Sequence, residues 1–173
     1  FDEGLKIKAV EADCLYGGII IDTNNFTSKT GVRTFEAAAF LRRCGADVTR
    51  VRKMFRNDMT EYKARAEAVR HAELYHNDIA IAAVEQDIDR VTAAKAADEL
   101  LTLRGVRASF VLFKHDTGVN LSARSLGEIN VQLIMEKLGG GGNSTTAGGQ
   151  IPDGTVDAVR EQLIAAIDQY LEG

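Results

Sequence analysis

The stretch of sequence that decides the fold is SARSLGEINVQLIMEKLGGGG, residues 122–142. Residues 119–123, which overlap its beginning, have the composition of a strand. Residues 128–138 place apolar side chains at helical spacing. A run of glycines then interrupts the helical pattern. A strand, a helix and a glycine loop in succession predict an α/β fold around this segment.

A phosphate site is one chemical interpretation of this stretch. Ser125 stands where a helix N-cap is expected, and a helix N-terminus offers free backbone N–H groups to an anion. Arg124 beside it can bind the same oxygens in a fork. The glycines at 139–142 allow backbone amides to face a ligand with no Cβ in the way. The alternative is structural, with Ser125 as a helix cap and the glycines as a flexible helix end.

The segments on either side extend the α/β pattern into a lobe. The predicted elements are strands over residues 78–85, 108–115 and 119–123 and helices over residues 88–104, 128–138 and 155–171. A tight turn at residues 116–118 makes two of these strands a hairpin. Residues 145–151 can return to the same sheet. The carboxy-terminal lobe is therefore expected to hold a mixed sheet of three or four strands with three helices.

The first third of the chain has a different pattern. We predict a helix over residues 5–16, ended by Gly17 and Gly18, and then a short buried parallel strand over residues 19–21. A second helix is predicted over residues 34–44. The stretch 48–73, which is rich in basic residues, is interpreted as a helical linker between two lobes.

Asp22 follows the predicted strand at residues 19–21. A carboxylate at the carboxyl end of a buried strand is a usual place for a metal or ligand contact in open α/β sheets. A turn-forming or helix-capping aspartate explains the same position equally well. One carboxylate cannot hold a catalytic divalent metal, which needs several oxygen or nitrogen ligands.

The bulk composition restricts the partners and the compartment. A formal net charge of −4 gives no general affinity for duplex nucleic acid or anionic membranes. Cys14 and Cys44 are far apart, without metal-ligand spacing, which favours reduced thiols and a cytoplasmic location. No apolar run approaches the roughly 20 residues of a membrane span. Because the chain opens at Phe1 without a methionine, we expect a fragment of a longer protein.

Two stretches resemble a single family, the DHH phosphoesterases. Residues 11–26, EADCLYGGIIIDTNNF, look like the last metal-binding motif of that family. Residues 122–142 look like the substrate-binding motif of the DHH-associated domain. Within them the form Arg-Ser-x-Gly-x-Ile-Asn-Val-Gln is similar to the membrane-anchored cyclic di-AMP phosphodiesterases, whereas oligoribonuclease relatives share the glycine run but less of the preceding helix.

The resemblance implies an organisation and a set of site residues. Residues 1–56 would be the carboxy-terminal part of a DHH lobe with a parallel sheet, residues 57–77 a linker helix, and residues 78–173 the DHH-associated domain. Asp22 would be a ligand of a catalytic pair of manganese ions. The residues that would hold phosphate and sugar are Arg124, Ser125, Gly140, Gly141, Gly142 and Asn143. Asn143 replaces the histidine of the family pattern, so it can bind an oxygen but cannot donate a catalytic proton.

The function implied is that of a substrate-binding fragment. The parent would be a manganese-dependent phosphodiesterase that hydrolyses cyclic di-AMP to the linear dinucleotide at the cytoplasmic face of the membrane. The fragment alone is expected to be inactive, because the amino-terminal Asp-x-Asp and Asp-His-His motifs are absent from it. An oligoribonuclease acting on short RNA and a non-catalytic nucleotide-binding module remain alternatives. Homo-oligomers are expected if the strand at residues 19–21 leaves apolar surface uncovered.

Overall fold

The computed structural model describes residues 6–27, 29–56, 58–116 and 118–173. The chain divides into two compact units between positions 57 and 58. The expected start of the first helix at Leu5 and the centre of the predicted turn, Thr117, lie outside the described residues.

The described residues of the first unit form three helices, α1 (Ala9–Asp22), α2 (Val32–Arg43) and α3 (Val48–Met54). A small apolar cluster with Ala12 and Leu41 at its centre holds α1 and α2 together. Asp13 is a buried carboxylate in this unit. It accepts hydrogen bonds from the Asp47 backbone N–H at 2.7 Å and from Arg50 Nε at 2.7 Å. These contacts attach α1 to the beginning of α3.

The predicted strand at residues 19–21 is wrong, because these isoleucines form the last turn of α1. Gly17 and Gly18 do not end the helix. Gly17 instead packs against the Phe55 ring, where an added Cβ would lie 3.0 Å from Cζ. An isolated strand has no ladder partner within the described part of this unit, whereas a helix satisfies its own backbone. Self-association was expected from apolar surface at residues 19–21, and this surface belongs to helix α1 rather than to a strand. Self-association itself stays a prediction.

The second unit is an α/β fold with a mixed sheet, as predicted. Its elements are α4 (Met59–Arg70), β1 (Ala72–Tyr75), β2 (Ile79–Asp87), α5 (Arg90–Leu100), β3 (Ala108–His115), β4 (Gly118–Ser125), α6 (Val131–Glu136), β5 (Gly141–Gly142), β6 (Thr146–Ile151) and α7 (Val156–Leu171). The six strands lie in the order β1-β2-β3-β4-β6-β5. Strands β2 and β3 run parallel and the other neighbours run antiparallel.

Apolar packing covers the two faces of this sheet unequally. Helices α6 and α7 form the main core on one face, with Phe110, Ile134 and Leu163 fully buried. Helices α4 and α5 lie on the other face, and their apolar side chains pack there against β2 and β3. The second apolar core contains no residue of β4, β5 or β6 within the described ranges. This uncovered part of the sheet face is where polar side chains can collect.

Two further expectations change in the second unit. Residues 58–77, assigned to a linker, contain α4 and β1, and β1 pairs with β2 as an edge strand. The helix expected over residues 128–138 is shorter, and its N-cap is Asn130, whose side chain accepts from the Gln132 N–H at 3.1 Å. Ser125 is therefore not a helix cap. None of the helices in the described ranges is long and apolar enough to cross a membrane.

Candidate functional site

Strand β4 presents alternating side chains to the two sheet faces, as a pleated strand must. Val119, Leu121 and Ala123 enter the main core. Asn120, Ser122 and Arg124 therefore point to the opposite face, beside α5. A polar row of this kind, next to the uncovered part of the sheet, is the first element of the candidate site.

The Arg124 guanidinium is held in a fixed position. Its Nε donates to Asp98 Oδ1 at 2.9 Å, and its Nη1 donates to the Ala123 carbonyl at 2.9 Å. Nη1 also lies 3.3 Å from Ser122 Oγ. Nη2 has no hydrogen-bond partner among the described residues, and the side chain is 17% exposed. A positioned guanidinium with a remaining donor is suited to an anionic oxygen.

Ser125 lies on the other face of β4 and is buried. Its hydroxyl donates to the Ile129 carbonyl at 2.5 Å and accepts from the Gly127 N–H at 2.8 Å. These bonds close the turn between β4 and α6. The structure therefore does not bring Ser125 and Arg124 together, and a contact between Ser125 and substrate stays a prediction.

The glycine run is required by the close approach of β5 to β6. A Cβ on Gly140 would lie 2.5 Å from the Gly148 carbonyl oxygen. A Cβ on Gly142 would collide with the Thr146 carbonyl oxygen, and Gly142 has a φ of 152°. A Cβ on Gly141, in contrast, would meet nothing within 4 Å. Part of the glycine signal is thus explained by strand packing.

The backbone amides of this run differ in what they can offer a ligand. Gly140 N–H donates to the Met135 carbonyl at 2.9 Å. Asn143 and Thr146 exchange both backbone hydrogen bonds, and Gly141 is paired with Gly148. Because antiparallel residues alternate between facing the partner and facing away, the Gly142 N–H points to the open edge of the sheet. Of the three predicted glycine amides, the pairing therefore leaves this one to a ligand.

Asn143 forms the turn between β5 and β6. Its Oδ1 accepts from the Thr145 N–H at 3.0 Å, the Thr146 N–H at 2.9 Å and the Thr145 hydroxyl at 3.1 Å. An asparagine in this position thus stabilises the hairpin through its oxygen. Its amide nitrogen is exposed with the rest of the residue and can still donate.

Asp22, the predicted metal ligand, lies in the first unit at the end of α1. Its side chain is 76% exposed and is 3.9 Å from Lys29 Nζ. Within the described ranges, no group of three or more histidine, cysteine, aspartate or glutamate side chains could hold a metal ion. The described residues do not by themselves fit a manganese centre.

A cavity of about 310 Å³ on the polar side of the sheet was missed from the sequence. Among the residues that line it are Arg90, Phe113, Asn120, Ser122 and Gln150. The signal that could have found it is the strict alternation of apolar and polar residues along β4, which marks one face of a strand as polar.

Comparisons with known proteins agree with the fold of the second unit. Residues 76–173 match the family model of the DHHA1 domain. The chain is 46% identical over 171 residues to the cyclic-di-AMP phosphodiesterase PdeA of Listeria monocytogenes serotype 1/2a (strain 10403S), covering 97% of this chain and 26% of that protein. It is 46% identical over 174 residues to the cyclic-di-AMP phosphodiesterase GdpP of Bacillus subtilis (strain 168), covering 98% of this chain and 26% of GdpP. The chain thus spans about a quarter of the length of these curated relatives.

Solved structures show the same fold at low identity. An exopolyphosphatase-related protein from Bacteroides fragilis superimposes with a TM-score of 0.85 at 20% identity, over 95% of this chain and 51% of that one. RecJ from Thermus thermophilus, in a complex with Mn²⁺, gives a TM-score of 0.51 at 11% identity, over 92% of this chain and 24% of RecJ.

Proposed function

We propose, because this chain belongs to the DHHA1 domain family, that it binds the nucleotide in a phosphodiesterase that hydrolyses cyclic di-AMP to the linear dinucleotide. The observation that carries the proposal is the 46% identity to PdeA over 97% of this chain. That similarity includes both stretches that resemble DHH phosphoesterases, because it extends over nearly all residues.

The geometry of β4 supports a role in binding phosphodiester groups. Arg124 is fixed by Asp98 and by the Ala123 carbonyl, so little side-chain entropy is lost when its remaining donor meets an anion. The Gly142 N–H at the edge of β5 is a second donor for phosphate or sugar oxygens. Both donors belong to the second unit.

Manganese is the metal proposed for the whole enzyme. Asp22 would supply one carboxylate to it, and the remaining ligands would come from outside the residues described here. Since a single exposed carboxylate does not hold a divalent ion, we expect this chain alone to bind cyclic di-AMP without hydrolysing it. Turnover by the isolated chain with manganese would contradict this expectation.

Binding is tested by titration calorimetry of this chain with cyclic di-AMP and with the linear dinucleotide. Arg124→Ala should weaken the affinity for both at least about tenfold, because a charge-assisted hydrogen bond is lost. Arg160→Ala is the matched control, since Arg160 pairs with Glu73 at 2.7 Å and lies on α7. Equal losses in the two variants, or no binding by the unmodified chain, would contradict the proposal.

Hydrolysis is tested in a chimera in which this chain replaces the matching quarter of PdeA. Manganese-dependent hydrolysis of cyclic di-AMP is expected, with loss of activity in Asp22→Asn. Faster cleavage of short RNA than of cyclic di-AMP would instead indicate an oligoribonuclease. Binding without any turnover in the chimera would indicate a non-catalytic nucleotide-binding module.

A further inference from the structure

Asn120 is a buried carboxamide without a hydrogen-bond partner. The residue is 2% exposed, and neither its Oδ1 nor its Nδ2 has a partner among the described residues. Buried side-chain amides in native proteins are nearly always hydrogen-bonded, and an exception calls for a functional explanation. The amide therefore has one acceptor, Oδ1, and one donor group, Nδ2, that no other described residue satisfies.

The position of Asn120 is set by the sheet. It pairs with Phe113 of β3 on one side and with Gln150 of β6 on the other. Directly paired residues project to the same face, so the three side chains line the cavity of about 310 Å³ together. Gly148, opposite Ser122, adds no side chain, which leaves main chain along this part of the cavity wall.

The polar groups around Asn120 make hydrogen bonds to one another, and these bonds leave some donors unpaired beside the cavity. Arg90 Nη2 donates to Gln150 Oε1 at 3.1 Å, which leaves the Gln150 amide nitrogen as a donor. The N-terminus of α5 is closed by Asp89, which accepts from the Val91 and Thr92 N–H groups at 2.9 Å each. The helix end is therefore not an anion site, and positive charge in the cavity wall comes from Arg90.

We propose that Asn120 reads the edge of the adenine base, an inference that rests on the proposed function and names the residue that recognises the base. Adenine presents its 6-amino donor beside a ring-nitrogen acceptor, and a carboxamide matches this pair with two hydrogen bonds. A phosphodiester offers only acceptors at neutral pH and would leave Asn120 Oδ1 unpaired. The base, rather than the phosphate, is thus the group that satisfies both atoms.

The test compares two mononucleotides that differ in one group. Adenosine 5′-monophosphate carries the 6-amino donor, and purine riboside 5′-monophosphate lacks it. We expect the chain to bind the first about tenfold more tightly than the second, by titration followed in ¹H–¹⁵N spectra. The side-chain amide resonance of Asn120 should shift with the first nucleotide and not with inorganic phosphate.

Asn120→Leu should abolish this discrimination, because leucine has a similar size and no hydrogen-bonding group. Its thermal unfolding midpoint should be unchanged or raised, since the variant removes an unsatisfied buried amide. Ser109→Ala is the matched control: Ser109 is buried on the same sheet face, but its hydroxyl donates to the Ala97 carbonyl at 2.7 Å. That variant should lower the midpoint and keep the tenfold discrimination.

Asn120→Ala is a second variant for the case in which leucine prevents folding. Alanine is smaller than asparagine and has no hydrogen-bonding group in its side chain, so the discrimination between the two nucleotides should also be lost. Discrimination that persists in Asn120→Leu, or its absence in the unmodified chain, overturns the inference while the proposed function stands. Failure of both nucleotides and of cyclic di-AMP to bind would overturn the proposed function as well.

Discussion

The two regions that resemble DHH phosphoesterases are built in different ways. Residues 11–26 form most of one helix and the turn after it, and the Asp22 side chain at the end of this helix is exposed to solvent. Residues 122–142, together with the rest of β4 and with β6, instead form three paired strands and a short helix, where Asp98 fixes Arg124 and where Asn120 is buried. The second region obtains its chemistry from contacts between strands that are distant in sequence.

This difference shows where each region gets its capacity to bind. In the strand region, β4, β6 and β5 lie side by side, so that Arg124 on β4 and the Gly142 N–H at the edge of β5 belong to one sheet although they come from separate segments. In the helix region, Asp22 is an exposed carboxylate with one lysine at 3.9 Å, and the Asp13 carboxylate already binds Arg50 and the Asp47 N–H. The predictions that follow test whether the strand region depends on tight backbone packing and the helix end does not.

The largest effect is expected for Gly142→Ala. The new Cβ would collide with the β6 backbone at a residue whose φ is 152°, which should lower the free energy of unfolding by about 2–4 kcal/mol. Gly141→Ala is the matched control and should cost less than about 1 kcal/mol, because its Cβ meets nothing. Urea unfolding measures both, and equal losses would show that the β5–β6 contact is not tight.

Ser125→Ala should have the next largest effect. The variant removes two hydrogen bonds of a buried hydroxyl, to Ile129 and from Gly127, at a cost of about 1–3 kcal/mol. Ser144→Ala, at an exposed position in the β5–β6 turn, should change stability by less than about 0.5 kcal/mol. If Ser125→Ala also removes nucleotide binding at a temperature where the variant is folded, a direct contact with substrate is supported.

In the first unit, Asp13 should make stability depend on pH. The Arg50 side chain and the Asp47 N–H lower the pKa of the Asp13 carboxyl from its usual range. A folded-state pKa below the unfolded one means that the stabilisation is present above about pH 4 and is lost as the pH falls through the folded-state value. The protection of α1 amides against hydrogen exchange, taken relative to their intrinsic exchange rates, should therefore fall in acid, and Asp13→Asn should weaken that dependence. An unchanged acid response in the variant would contradict this assignment.

The smallest effect is expected for Asp22→Asn in this chain. Its carboxylate is exposed and makes one ion pair at 3.9 Å, so the free energy of unfolding should change by less than about 0.5 kcal/mol. Thermal unfolding measures the effect. A larger loss would mean that Asp22 stabilises the turn after α1, and the contrast between the two regions would be weaker.

Local patterns predicted much of the second unit. The strand predicted at residues 108–115 has the bounds observed for β3, and residues 145–151, which the sequence allows to return to the sheet, contain β6. Strand β3 has a clear apolar pattern bounded by turn residues. The pattern failed at residues 19–21, because a short run of isoleucines fits a buried strand and a helix end equally, and the run is too short for periodicity to separate them.

The sequence by itself determined the family and the mixed α/β fold of the second unit, and it predicted Arg124 and the glycine run as binding residues. Those features depend on residue type and short-range spacing. Only the tertiary structure decided that Ser125 closes a turn, that Gly142 presents its N–H at the open edge, and that Asn120 is buried without a partner. Strand pairing and register set which atoms face each other, and they arise from contacts between residues far apart in the chain.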